Sequence, residues 1–117
     1  MRIFLVPLVA LATLAACGGS ESASPGANVS LYKYIGSVQC TGGGTSLPAM
    51  ERQLTDAGIQ VLTSACGGDG NAYPAVCGGA DGRIGIFEVT VAQAQGASAL
   101  GFAPLSNLPV ATKVSCQ

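Results

Sequence analysis

The sequence predicts a small α+β domain, two helices over one face of an antiparallel sheet in the order β-α-β-β-α, with a short final strand left open. Three observations carry that prediction. Runs rich in β-branched and aromatic residues alternate with one segment of helical period and a second bracketed by helix start and stop signals. Glycine, proline and aspartate mark the turns between them. Four cysteines spread over residues 40–116 offer the staples that so short a chain needs.

Residues 31–39 (LYKYIGSVQ) read as the first strand, with Tyr32, Tyr34 and Val38 on one face. Ile35 falls on the other face, beside polar Lys33, Ser37 and Gln39. Gly42-Gly43-Gly44 then turns the chain toward a helix over 47–57, where Leu47, Met50 and Leu54 recur at i, i+3 and i+7. Thr45 and Ser46 suit its cap, Pro48 its first turn and Gly58 its end. Residues 59–63 (IQVLT) read as the second strand. Asp81-Gly82 marks a turn into a third strand over 83–89, with Ile84 and Ile86 opposite Phe87 and Val89. Thr90 and Gln93 match a capping box, opening a helix that runs to Leu100. Gly101 followed by Phe102 suits a Schellman end, while Gly96 costs about 1 kcal/mol against Ala. Beyond Pro104 and Pro109, residues 110–116 are the open final strand.

The 117 residues leave room for a single domain, placed at 31–117. Charged residues are 9% of the chain and apolar ones 49%. Beyond residue 16, four basic side chains stand against six acidic ones. That balance supplies neither the basic face that nucleic acid needs nor a polybasic membrane patch, so no nucleic-acid partner is expected.

Met1-Arg2 gives a positive start, and Ile3 to Ala16 then carries no charge. The run is short of the roughly 20 residues that span a bilayer, but its length suits a secretory signal. It ends in Leu14-Ala15-Ala16-Cys17, which resembles the lipobox of bacterial lipoproteins. The resemblance implies a signal peptide over 1–16, diacylglycerol on the Cys17 thiol, cleavage before Cys17 and acylation of its new amine. The membrane would then be held through lipid, each buried methylene contributing about 0.8 kcal/mol. In that family, Gly18 after the cysteine implies the outer membrane, facing the periplasm. Residues 17–30 read as anchor and tether, since GGSESASPGANVS is small and polar, with a mean reach of about 20 Å.

Assigning Cys17 to lipid leaves Cys40, Cys66, Cys77 and Cys116, an even set that an oxidising compartment makes into two disulfides. Histidine and C-x-x-C are both missing, so no zinc site, no thioredoxin-like role and no cofactor is expected. Of three pairings, the spacing favours Cys66–Cys77 around a ten-residue turn, with Cys40–Cys116 following by elimination. In a ferredoxin-like arrangement a final strand would put Cys116 on the edge opposite Cys40, at odds with that pairing.

Gly42-Gly43-Gly44 lacks the lysine of a phosphate loop and reads as a strand-to-helix connection. Asp69, Asn71 and Asp81 lie in glycine-rich loops but match no calcium-loop spacing, so turn chemistry accounts for them. Glu51 and Asp56 sit about 140° apart around the first helix, and Glu88 belongs to a strand surface. Tyr32 and Tyr34 share a face and are the candidate ligand ledge, with cross-strand packing the commoner use of such residues.

The whole is similar, in a general way beyond the lipobox, to the short two-disulfide lipoproteins of proteobacteria. It leads to a non-enzymatic envelope module for binding or assembly, with an envelope protein or peptidoglycan as partner. The β-α-β-β-α order is also similar to that of SPOR peptidoglycan-binding domains, which would put glycan on the exposed sheet face. The strand at 31–39 lacks that family's pattern, and its members do not require four cysteines. A small hydrolase is the remaining alternative and needs two carboxylates within about 9 Å.

Overall fold

The computed structural model describes residues 27–116; the signal segment, Cys17 and most of the tether lie outside the described residues. Strands β1 (Asn28–Tyr34), β2 (Thr63–Gly68), β3 (Arg83–Thr90), β4 (Ala103–Pro104) and β5 (Thr112–Lys113) alternate with helices α1 (Leu47–Asp56) and α2 (Val91–Ala99). A 3-10 turn, Leu105–Asn107, follows β4. The strands form one antiparallel sheet in the order β4-β1-β3-β2-β5, a split β-α-β-β-α-β unit with a fifth strand added at one edge. The fold is α+β, as the sequence predicts.

Strand β1 starts earlier than the sequence suggests, taking Asn28, Val29 and Ser30 from the segment read as tether. Val29 extends the inward period of Leu31 and pairs with Val89. The strand stops at Tyr34, because Gly36 turns the chain at φ +80°. The second strand is displaced further, to 63–68 rather than 59–63. Ile59 and Val61 have the composition of a strand but are spent on the helix-side core. TSACGG pairs instead because β3 offers it a partner at every residue.

Both helices end in Schellman motifs. Ile59 N–H donates to Leu54 O and Gly58 N–H to Thr55 O; Phe102 N–H donates to Ala97 O and Gly101 N–H to Ser98 O. At the start of α1, Ser46 accepts from Ala49 N–H, as its position suggests. The capping box of α2 does not form: Thr90 makes no side-chain cap bond. Gln93 reaches across to the turn after α1, donating to Gly58 O and accepting from Gln60 N–H, each at 3.0 Å.

The helices cover the face of the sheet that carries Leu31, Phe87 and Val89, which pack with Met50, Leu54, Ile59, Ala97 and Phe102. The rings of Phe87 and Phe102 meet edge to face at 5.6 Å. Ile84 and Ile86 point to the other face and are also buried, which requires a second cover. The chain leaves β4 at one edge, packs its 3-10 turn on β1 and returns as β5 at the opposite edge. Residues 105–111 thereby cross the open face.

The disulfides pair as Cys40–Cys77 and Cys66–Cys116, with Cα atoms 5.1 and 5.3 Å apart, which corrects the expected Cys66–Cys77 and Cys40–Cys116. Register decides the matter. Cys66 sits in β2, and β5 brings the tail to it through the Val114 N–H bond to Cys66 O. The loop holding Cys77 folds toward the end of β1 instead, where Gln39 and Gly78–Gly79 exchange backbone hydrogen bonds. The conflict over a final strand also resolves. Ala103–Pro104 is the strand beside β1, and within 110–116 only Thr112–Lys113 forms a strand, on the far edge.

Candidate functional site

Loops 35–46 and 69–82 and the tail at 114–116 gather at the end of the sheet where β1 finishes and β3 begins. The other end holds Asn28 against Thr90, where the described residues begin. Cys40–Cys77 ties the two loops together, and the Gln39 side chain clamps them further. Its Nε2 donates to Pro74 O at 2.8 Å and Ala80 O at 3.1 Å, while Oε1 accepts from Val76 N–H at 3.1 Å. A rigid, loop-built pole of this kind is where a small domain can carry recognition chemistry.

Tyr32 and Tyr34 do share one strand face, their rings perpendicular at 5.7 Å. Tyr34 is not a free ledge, for its hydroxyl donates to Asp69 Oδ2 at 2.9 Å. The Tyr73 hydroxyl donates to the same oxygen, and Asn71 adds its backbone N–H to Oδ1 and its side-chain amide to Oδ2. Asp69 is 2% exposed, so these donors replace the water it has lost. Burial pushes its carboxyl upward, but the bonds from Tyr73, Asn71 and Tyr34 outweigh that and hold it below the ordinary 3.8. Tyr34 moves the other way, to about 12, through burial first and then its bond to the Asp69 charge. The arrangement is a fastening of loop 69–82 to the sheet.

The other acidic candidates are scattered. Asp81 accepts from Ser37 Oγ at 2.6 Å and from Arg83 N–H at 3.0 Å, whereas the Asp69 carboxylate is engaged by Tyr34, Tyr73 and Asn71. Glu51 and Asp56 lie on α1, whereas Glu88 faces the opposite side of the sheet with Ile86 and Tyr32. The structure does not bring these carboxylates together. Among the described residues, no group of three His, Cys, Asp or Glu side chains is placed to hold a metal ion. Likewise, no helix there is long and apolar enough to cross a membrane.

Two concavities open at the stapled pole. The first, about 580 Å³, lies between segment 42–48, Ile35, Arg83 and the Cys66–Cys116 bridge. The second, about 560 Å³, is bordered by Val38, Gln39, Cys40, Asp81 and Val114, with Arg83 between the two. No protein family, curated protein or solved structure matches the chain. The chemistry of this pole must therefore be read from its own side chains.

Sequence reasoning found the Gly42–Gly44 connection but not its neighbours. Arg83 opens the predicted third strand, and only the register with Gly68 puts it on the helix-side face at the cleft. The hub role of Asp69 was hidden behind an ordinary turn composition. Its one visible signal was the aspartate-glycine-asparagine run at 69–71.

Proposed function

We propose that the chain is a lipid-anchored envelope lipoprotein, cut before Cys17 and acting as a non-enzymatic binding or assembly module. One observation carries this reading: the cysteines of residues 27–116 are consumed in two disulfides, so of five in the sequence Cys17 is left over. It stands at the end of Leu14-Ala15-Ala16-Cys17, where lipid attachment gives it a use. Disulfides also suit an exported, oxidising location. Tethered at the Asn28 end, the domain would turn its stapled pole and both concavities away from the bilayer, toward soluble or wall-bound partners. The outer membrane, facing the periplasm, is the location that Gly18 favours. Globally labelled palmitate fed to producing cells tests the anchor: label on the wild-type chain and none on Cys17→Ser supports it, and equal labelling refutes it.

The strand order favours one second reading, a peptidoglycan-binding module of the SPOR kind, because both are split β-α-β-β-α-β sheets. The crossing chain at 105–111 argues against glycan lying on the open face, over Ile84 and Ile86. Retention on purified peptidoglycan would support that reading, and full recovery in the wash would remove it.

A further inference from the structure

We propose that the Cys40–Cys77 bridge is an exchange site, opened by a small polar thiol that docks in the second groove and becomes disulfide-linked to Cys40. The inference goes beyond the binding-module reading and does not need the anchor. The two bridges differ in their surroundings. Cys66 lies on β2 at 6% exposure, whereas Cys40 and Cys77 are both exposed. Access is one of the factors that set exchange rates, and exposed disulfides are the labile ones. Cys40 also has φ +74°, the one left-handed residue other than glycine among the described residues. An L side chain adopts that conformation at a cost, and such strain collects at functional positions.

The groove decides which sulfur is attacked and by what. Cys40 lines it and Cys77 does not. Its volume of about 560 Å³ falls within the range of roughly 300–1,000 Å³ typical of small-ligand sites. Gln39, Asp81 and Ser115 line it beside Val38 and Val114, a mixed wall that suits a peptide-sized polar thiol better than a lipid one. The thiolate RS⁻ reaches Cys40 Sγ from the groove. A new S–S bond forms there as the Cys40–Cys77 bond breaks. The electron pair leaves on Cys77 Sγ, which takes up the proton that RSH released. One disulfide replaces another, so nothing is oxidised or reduced overall. Attack by Cys77 in the reverse direction expels the thiol and closes the bridge.

The pole withstands opening because hydrogen bonds duplicate the bridge. Val38 and Gly42 exchange backbone bonds at 3.0 and 2.9 Å, closing the tight turn that carries Cys40. Gln39 N–H donates to Gly79 O, and Gly78 N–H donates to Gln39 O. The Gln39 side chain adds its bonds to Pro74, Val76 and Ala80. Cys40 therefore keeps its place beside the groove, and Cys77 stays within reach for reclosure.

The test places the full, oxidised chain in excess reduced glutathione at about pH 8, where thiolate is plentiful. Samples are quenched with excess N-ethylmaleimide and read by peptide mass spectrometry. Glutathione should appear on Cys40, with Cys77 alkylated, at least about tenfold sooner than Cys66–Cys116 opens. Val114→Trp fills the groove from an exposed position and leaves both bridges in place. It should slow glutathione about tenfold but mercaptoethanol, which is too small to need the groove, no more than about twofold. Equal opening of the two bridges, no adduct on Cys40, or a Val114→Trp chain that treats both thiols alike overturns the proposal. Glutathione on Cys17 would report a chain without lipid, and peptide mapping counts it separately from the exchange site.

Discussion

The phenolic hydroxyl of Tyr34, at the end of β1, donates at 2.9 Å to Oδ2 of Asp69, thirty-five residues further along the chain. Tyr73 donates to the same oxygen, so two phenols converge on one buried carboxylate. Asp69→Asn would replace that acceptor with an amide, and its NH2 group would face donors wherever it turned. The expected loss is about 1–3 kcal/mol in urea unfolding, with a smaller loss for Tyr34→Phe, since Tyr34 is partly exposed. A change below about 0.5 kcal/mol for Asp69→Asn would remove the hub from the account.

The same cluster sets a pH window. Asp69 is held below 3.8, so the unfolded chain binds its proton more readily. Its stabilisation is complete above the unfolded pKa and is lost as pH falls through the folded one. Tyr34 is raised from 10.0 to about 12, so its contribution is complete below pH 10 and is lost as pH rises through about 12. Unfolding free energy should be flat near neutrality and decline at both ends, with Asp69→Asn flattening the acid limb. The ultraviolet absorbance of phenolate should show two late-titrating tyrosines, Tyr34 and Tyr73, of which Tyr34→Phe removes one. An unchanged acid limb in Asp69→Asn would contradict the assignment.

Each disulfide closes a long loop, 37 residues for Cys40–Cys77 and 50 for Cys66–Cys116. Chain entropy gives about 4 kcal/mol for either, and losses of about 2–5 kcal/mol are usual for small secreted domains. The double variants Cys40→Ala/Cys77→Ala and Cys66→Ala/Cys116→Ala should therefore each lower stability by that order, measured by denaturant unfolding. Digestion without reductant should yield linked peptides joining 40 to 77 and 66 to 116. Peptides joining 66 to 77 would contradict the fold at β5.

Those pairings show where the sequence ceased to be legible. α1 could be read because its apolar residues recur at the helical period, β3 because it is dense in β-formers, and α2 from the residues that bracket it, Thr90 before and Gly101-Phe102 after. β2 could not, since Thr63–Gly68 carries almost no β-former and is a strand only because β3 pairs with it. At Gly67 a Cβ would come within 2.6 Å of Ile86 Cδ1 and 2.8 Å of Thr112 O, so the close approach of β5 selects glycine there. No local pattern announces that. Disulfide pairing and the placement of Arg83 at the cleft fail for the same reason: both depend on register, a relationship between distant segments. The tail was half legible, its two short strands merged into one expected at 110–116.

Gly70 and Gly58 separate conformational strain from collision. Both have positive φ, +81° and +79°. A Cβ at Gly58 meets nothing within 4 Å, whereas at Gly70 it would come within 2.2 Å of the Val110 carbonyl oxygen. Gly58→Ala should cost about 1–2 kcal/mol from backbone strain alone. Gly70→Ala should cost more, because the chain crossing the sheet must shift. Equal losses in thermal or urea unfolding would mean that residue 110 does not lie where the crossing requires.

The most direct test of the central claim is intact mass spectrometry of the chain extracted from producing cells without reductant. The account predicts a chain beginning at Cys17, heavier by a diacylglyceryl group and an amine-linked acyl chain, and lacking four hydrogens for its two disulfides. An unlipidated mass would contradict the anchor, and a mass retaining all four thiol hydrogens would contradict the stapled domain it carries.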